Sequence, residues 1–188
     1  MASTSDIRNG LCMMHNGDIY SVVEFLHVKP GKGNAFVRTK LKSLTSGKVV
    51  EYTFPSGHKI EDVRVERRKF QYLYNDESGY NFMDIETYDQ VSLNENMLDR
   101  PDFLKEGSEI EILFHAEKNI PLTAEMPASI VLEVTYTEPG VRGDTATNVT
   151  KPATVETGAE VKVPIFINQG DRIKIDTKTG SYLERVKS

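Results

Sequence analysis

Residues 11–28 read LCMMHNGDIYSVVEFLHV. Two apolar runs flank Asn16-Gly17. That dipeptide takes the left-handed backbone of a type I′ turn at little cost, and the twist of such a turn matches the strands on either side. The stretch therefore predicts two antiparallel strands joined at Asn16-Gly17, and the β pattern continues along the chain. NAFVRTKLKSL (34–44) is a strand rich in β-formers, TSGK (45–48) turns the chain, and VVEYTF (49–54) runs back. PSGHKIEDVR (55–64) is turn-rich and marks a first domain boundary.

A second β unit begins there. RVERRKFQYLY (64–74) is a long strand, NDESG (75–79) a loop, and YNFMDIETYDQVSL (80–93) one or two strands. FQYLY and YNFMDI face each other across the loop, so aromatic cross-strand pairs are expected. NENMLDRPDFLKEG (94–107) is the best helix candidate, capped at Asn94, limited by Pro101 and stopped at Gly107. SEIEILFHAEK (108–118) returns to period-two alternation, with Ile110, Ile112 and Phe114 on one face. The third unit starts near Met126-Pro127. It comprises a strand in SIVLEVTYTE (129–138), a long polar loop region at 139–158, AEVKVPIFINQG (159–170), and a hairpin in DRIKIDTKTGSYLERV (171–186). Three units of about sixty residues each, 1–64, 65–127 and 128–188, suit three small barrels better than one sandwich.

Charge is unevenly spread. Residues 1–64 carry net +3, residues 65–127 net −8, and residues 128–188 net 0. The cations of the first third crowd around one loop: Lys29, Lys32, Arg38, Lys40, Lys42 and Lys48. Such a cluster is either a phosphate-facing patch or a solvated strand face. VKPGK (28–32) leads into that loop, and Lys32 stands between Gly31 and Gly33 just after Pro30. Proline fixes a turn and the glycines free the backbone, so a long cation sits at the tip of a tight, exposed loop.

Familiar chemistry does not fit. A Walker loop counted back from Gly31-Lys32 has Leu26 at its first glycine position and Gly33 where Ser or Thr should be. The dinucleotide pattern has Phe36 at its third glycine. His15, His27, His58 and His115 lack metal-ligand spacing, so no metal site or cofactor is expected. The single cysteine, Cys12, excludes an internal disulfide and reads as a buried small hydrophobe. No acid/base pair or nucleophile elbow can be assembled, so an enzyme is not expected. Neither a secretory signal nor an apolar run of membrane-spanning length is present, which favours the cytoplasm and no membrane partner.

Three long segments carry a resemblance. FLHVKPGKGNAFVRTKLKSLTSG (25–47), YLYNDESGYNFMDIETYDQ (72–90) and residues 139–186 closely resemble, in order, the three domains of the bacterial translation elongation factor P family. The resemblance implies an all-β protein of three barrels in an L-shaped, tRNA-like arrangement, an SH3/KOW-like barrel followed by two OB-folds. It implies binding to the 70S ribosome between the P and E sites and relief of stalling at consecutive prolines by positioning the P-site peptidyl-tRNA. The ribosome would remain the catalyst. By the same resemblance Lys32 is the loop-tip residue that approaches the tRNA end, in many relatives after covalent modification by a dedicated enzyme. Pro30, Gly31 and Gly33 would shape its loop. Lys29, Arg38, Lys40, Lys42, Tyr182 and Arg185 would contact tRNA or rRNA. Arg142, Gly143, Asp144 and Thr145 would form a loop near the E-site mRNA codon. Many relatives have a glycine-rich run next, where this chain has Thr147-Asn148-Val149-Thr150. A monomer is the default expectation. Two other readings stay open: an elongation-factor-P-like paralogue, against which the lysine at the tip argues, and a ribosome-independent single-strand RNA-binding protein, against which the acidic middle third argues.

Overall fold

The computed structural model describes residues 2–140 and 149–187. They form an all-β structure whose short helical elements are single 3-10 turns. In the first part, β1 (Ala2–Ser3) pairs with β6 (Lys59–Ile60), and β2 (Cys12–His15), β3 (Asp18–Val28), β4 (Phe36–Ser43) and β5 (Val49–Pro55) form a four-stranded sheet in the order β2-β3-β4-β5. The Asn16-Gly17 turn is present: both residues have positive φ, 49° and 82°, and His15 pairs with Asp18 across it. Inward residues alternate along β4, with Val37, Thr39, Leu41 and Ser43 buried. Val37 and Leu41 join Ile7, Met13, Val22, Phe54 and Ile60 in one apolar cluster.

In the middle, β7 (Val65–Asp76), β8 (Gly79–Asp84), β9 (Gln90–Leu93), β10 (Glu109–His115) and β11 (Ile120–Glu125) form a sheet ordered β11-β10-β7-β8-β9. The expected aromatic pairing occurs: Tyr72 lies opposite Phe82, ring centroids 5.4 Å apart. Ile110, Ile112 and Phe114 are buried as the alternation requires, but Leu113 on the other face is buried too. It packs with Ile19, Leu44 and Leu122, and the half-buried Cys12 and Met14 lie against the same cluster. Cys12, expected as a buried small hydrophobe, is thus packed against an apolar cluster but only half-buried.

The helix expected over 94–107 does not form. Two 3-10 turns, Glu95–Met97 and Pro101–Phe103, stand there with the extended Leu98 between them. Pro101 opens the second turn, and the Asn94 side chain makes no capping hydrogen bond. The last sheet has the order β14-β13-β12-β15-β16, from β12 (Ser129–Thr137), β13 (Thr150–Val155), β14 (Glu160–Pro164), β15 (Arg172–Asp176) and β16 (Tyr182–Val186). β13 lies inside the stretch expected to be loop. Pairing of β13 with β12 ends at Ala153, so Pro152 lies beyond that ladder.

The chain divides into two compact units, residues 1–68 with 112–123 and residues 69–111 with 124–188. The second unit has a core of Leu132, Val134, Ala153, Val155, Val161, Val163, Ile167, Ile173 and Ile175, completed by Phe103 from the second 3-10 turn.

Candidate nucleic-acid interface

β3 and β4 stay paired up to Val28 opposite Phe36, and residues 29–35 form the loop between them. Lys29, Pro30, Gly31, Lys32 and Gly33 are all exposed. Only one glycine is demanded by backbone geometry. Gly33 has φ +107°, a region closed to most side chains, with the Pro30 ring 3.9 Å from where a Cβ would stand. Gly31 has ordinary φ and open space around it. The returning leg is fixed by the Ser56 N–H, which donates to the Ala35 carbonyl at 2.9 Å. The loop is therefore short, rooted in a sheet at both ends, and carries Lys32 into solvent.

The strand after the loop puts its cations on one face. Because Val37, Thr39 and Leu41 point inward, Arg38, Lys40 and Lys42 point outward together. They are not equivalent. Arg38 lies opposite Leu26 on β3 and Thr53 on β5, and Lys42 lies opposite Ser21 and Val49, all uncharged. Lys40 lies opposite Glu24 and Glu51, and its Nζ meets Glu24 Oε2 at 2.7 Å. That hydrogen bond, with the charges of Glu24 and Glu51, holds the Lys40 ammonium above its ordinary pKa. Arg38 and Lys42 are exposed, whereas Lys40 is half-buried. Charge along β4 was legible in sequence; Glu24 across from Lys40 was not, because a bulge at Val22/Glu24 sets that register. His27, beside the loop, is exposed and stands edge-on to Phe25 at 5.6 Å.

The remaining sequence-derived residues lie on the last sheet. Tyr182 is half-buried and packs against the core there. Arg185 is exposed, 3.8 Å from Asp171, with its guanidinium 5.7 Å from the centre of the exposed Phe166 ring. Arg142, Gly143, Asp144 and Thr145 lie outside the described residues. The chain on either side of them is anchored. Lys151, buried along its stem, donates from Nζ to the Glu138 carbonyl at 2.6 Å. A Cβ on Gly140 would stand 2.7 Å from the Ile165 carbonyl oxygen. Neither residue was singled out in sequence. Lys151 falls in the stretch expected to be polar loop, and nothing local announces its carbonyl partner thirteen residues upstream.

Among the described residues no group of three or more His, Cys, Asp and Glu is placed to hold a metal ion, and no helix is long and apolar enough to cross a membrane. The sheets and the exposed cationic loop define a class: an all-β protein of small antiparallel sheets that presents cations on one strand face and at a loop tip. Comparison makes this particular. Residues 3–60 match the elongation factor P KOW-like domain, residues 65–122 its OB domain, and residues 130–185 its C-terminal domain. Over the full length of both chains, the protein is 65% identical to elongation factor P of Flavobacterium johnsoniae, 65% to that of Christiangramia forsetii, and 56% to elongation factor P 1 of Porphyromonas gingivalis. The chain belongs to the elongation factor P family. Among solved structures, translation initiation factor 5A from Methanococcus jannaschii aligns at a TM-score of 0.49 and 23% identity, over 65% of this chain and 94% of that one.

Proposed function

We propose that this chain is a cytoplasmic, non-enzymatic translation elongation factor of three domains (1–64, 65–127 and 128–188). It binds the 70S ribosome between the P and E sites and speeds peptide-bond formation at consecutive prolines by positioning the P-site peptidyl-tRNA. The observation that carries this reading is Lys32 at the exposed tip of a sheet-rooted loop, with Arg38 and Lys42 on an outward face next to it. A compact ammonium on a flexible stem reaches phosphates and 2′-hydroxyls where a bulkier tip cannot. Arg38 and Lys42 hold RNA backbone, giving salt-sensitive affinity. Lys29 and Arg185 add cations, and Tyr182 contributes its exposed edge. The gain in rate is positional: a tRNA end held in a reactive pose recovers rate without an acid or base from the factor. Lys32 is also the position for covalent extension by a modifying enzyme. Residues 142–145 are the ones that would meet the E-site mRNA codon.

The test is a purified translation system reading a message with three consecutive prolines. Factor from the native host should restore full-length product, and Lys32→Ala should not. Failure of the native factor to restore product overturns the assignment.

A further inference from the structure

The cationic face of β4 is interrupted in a regular way. Its five charged side chains, Arg38, Lys40, Lys42, Glu24 and Glu51, leave a net charge of only +1. The central lysine is ion-paired at 2.7 Å, while its two neighbours on the same face have no carboxylate directly across from them. Opposite charges directly across a sheet attract, so the strand register favours the pair. We propose that Glu24 and Glu51 withhold Lys40 from RNA, against the contact that the family resemblance implies for it, so that this face presents two phosphate contacts, Arg38 and Lys42, rather than three.

The consequence is selectivity. Non-specific RNA binding grows with each phosphate neutralised, because each contact releases counterions. A face with three free cations beside a cationic loop would hold bare RNA generally. With Lys40 occupied the face is a weak general binder, and productive binding depends on the other domains engaging the ribosome together with it. Glu24 and Glu51 are thus specificity-determining residues for the proposed ribosomal role, and the inference rests on that role.

The test measures the affinity of the full-length protein for a 20-nucleotide oligo(U) and for 70S ribosomes carrying P-site tRNA, from 50 to 200 mM salt. The variants are Arg38→Ala, Lys42→Ala, Lys40→Ala, Glu24→Gln/Glu51→Gln, and the last with Lys40→Ala added. Thermal melting confirms that each is folded. Expected results are specific. Lys40→Ala changes ribosome affinity and salt dependence less than Arg38→Ala or Lys42→Ala, both of which weaken them. Glu24→Gln/Glu51→Gln binds oligo(U) more tightly, with a log–log salt slope steeper by about 0.7, the value of one single-strand phosphate contact. Adding Lys40→Ala returns the slope to wild type. If Lys40→Ala alone flattens the slope as much as Arg38→Ala, or if the double glutamine variant gains no slope, the withholding is refuted while the RNA face stands. If Arg38→Ala and Lys42→Ala change nothing, the RNA face itself fails and the inference falls with it.

Discussion

At the scale of single residues, the loop separates what a position must do for the fold from what it does for function. Lys32 is exposed and lies outside the β3–β4 pairing, so Lys32→Ala should leave stability within about 0.5 kcal/mol. Gly33 is different: alanine at φ +107° is strained and should cost about 1–3 kcal/mol, whereas Gly31→Ala should be nearly silent. Urea unfolding of the three variants checks this ordering, and equal losses at Gly31 and Gly33 would contradict it. Asp18 provides a pH-dependent case. Burial pushes its carboxyl up, but hydroxyl hydrogen bonds from Ser43 at 2.6 Å and Thr45 at 2.7 Å, with the Ile19 N–H at 2.8 Å, outweigh burial and hold it below its ordinary value. A carboxyl depressed in the folded state stabilises fully above its unfolded pKa of about 4, and the effect is lost as pH falls through the folded value. Asp18→Asn should therefore be less stable than wild type at pH 7, with the gap closing toward pH 2. A gap that does not narrow would show that the carboxylate's ionisation is not what stabilises the site.

At the scale of elements, turns decide register, and two glycines with positive φ should respond very differently to the same change. A Cβ on Gly79, at φ +121°, would run into the Leu93 carbonyl, where β8 pairs with β9. Gly158, at φ +87°, has open space. Gly79→Ala should cost well over 2 kcal/mol and Gly158→Ala about 1 kcal/mol, read from urea midpoints at constant slope. Similar costs would mean that the β8–β9 hairpin shifts to accommodate the methyl group. Turns of this kind are also why so much of the fold was legible in the sequence. Asn16-Gly17, Thr45–Lys48 and Thr177–Gly180 each announce a hairpin within a few residues, and the structure pairs strands across all three. What stayed hidden depended on partners distant in sequence. β13 reads as polar loop because Thr150, Pro152 and Thr154 face away from the core, while buried Ala153 and Val155 carry too little apolar signal alone. The expected helix over 94–107 fails because Pro101 starts a new turn and Phe103 is drawn into a core made by residues 132–175.

At the scale of the whole molecule, Phe103 shows how the second unit is held together. Fully buried in that core, it carries the Arg100 guanidinium over its ring at 4.1 Å, and Arg100 grips Asp102 with bonds of 2.9 and 2.7 Å. Nearby, Lys105 pairs with Glu156 at 2.9 Å. Phe103→Ala should cost about 3–5 kcal/mol and should loosen β12 and β15 together with the 95–105 segment. Hydrogen exchange would show this as lost protection at Leu132 and Ile173, and loss confined to residues 95–105 would contradict it. The functional claim concerns a different part of the chain, where a loop tip contributes position rather than stability. It is tested most directly by the single-turnover rate of one proline–proline bond on ribosomes saturated with factor, with ribosome affinity measured in parallel. Native-host protein should raise that rate strongly. Lys32→Ala should bind with affinity within about threefold, a difference under 1 kcal/mol, yet lose most of the acceleration. A Lys32→Ala factor that is as fast as wild type at saturation would contradict the account, whatever its affinity.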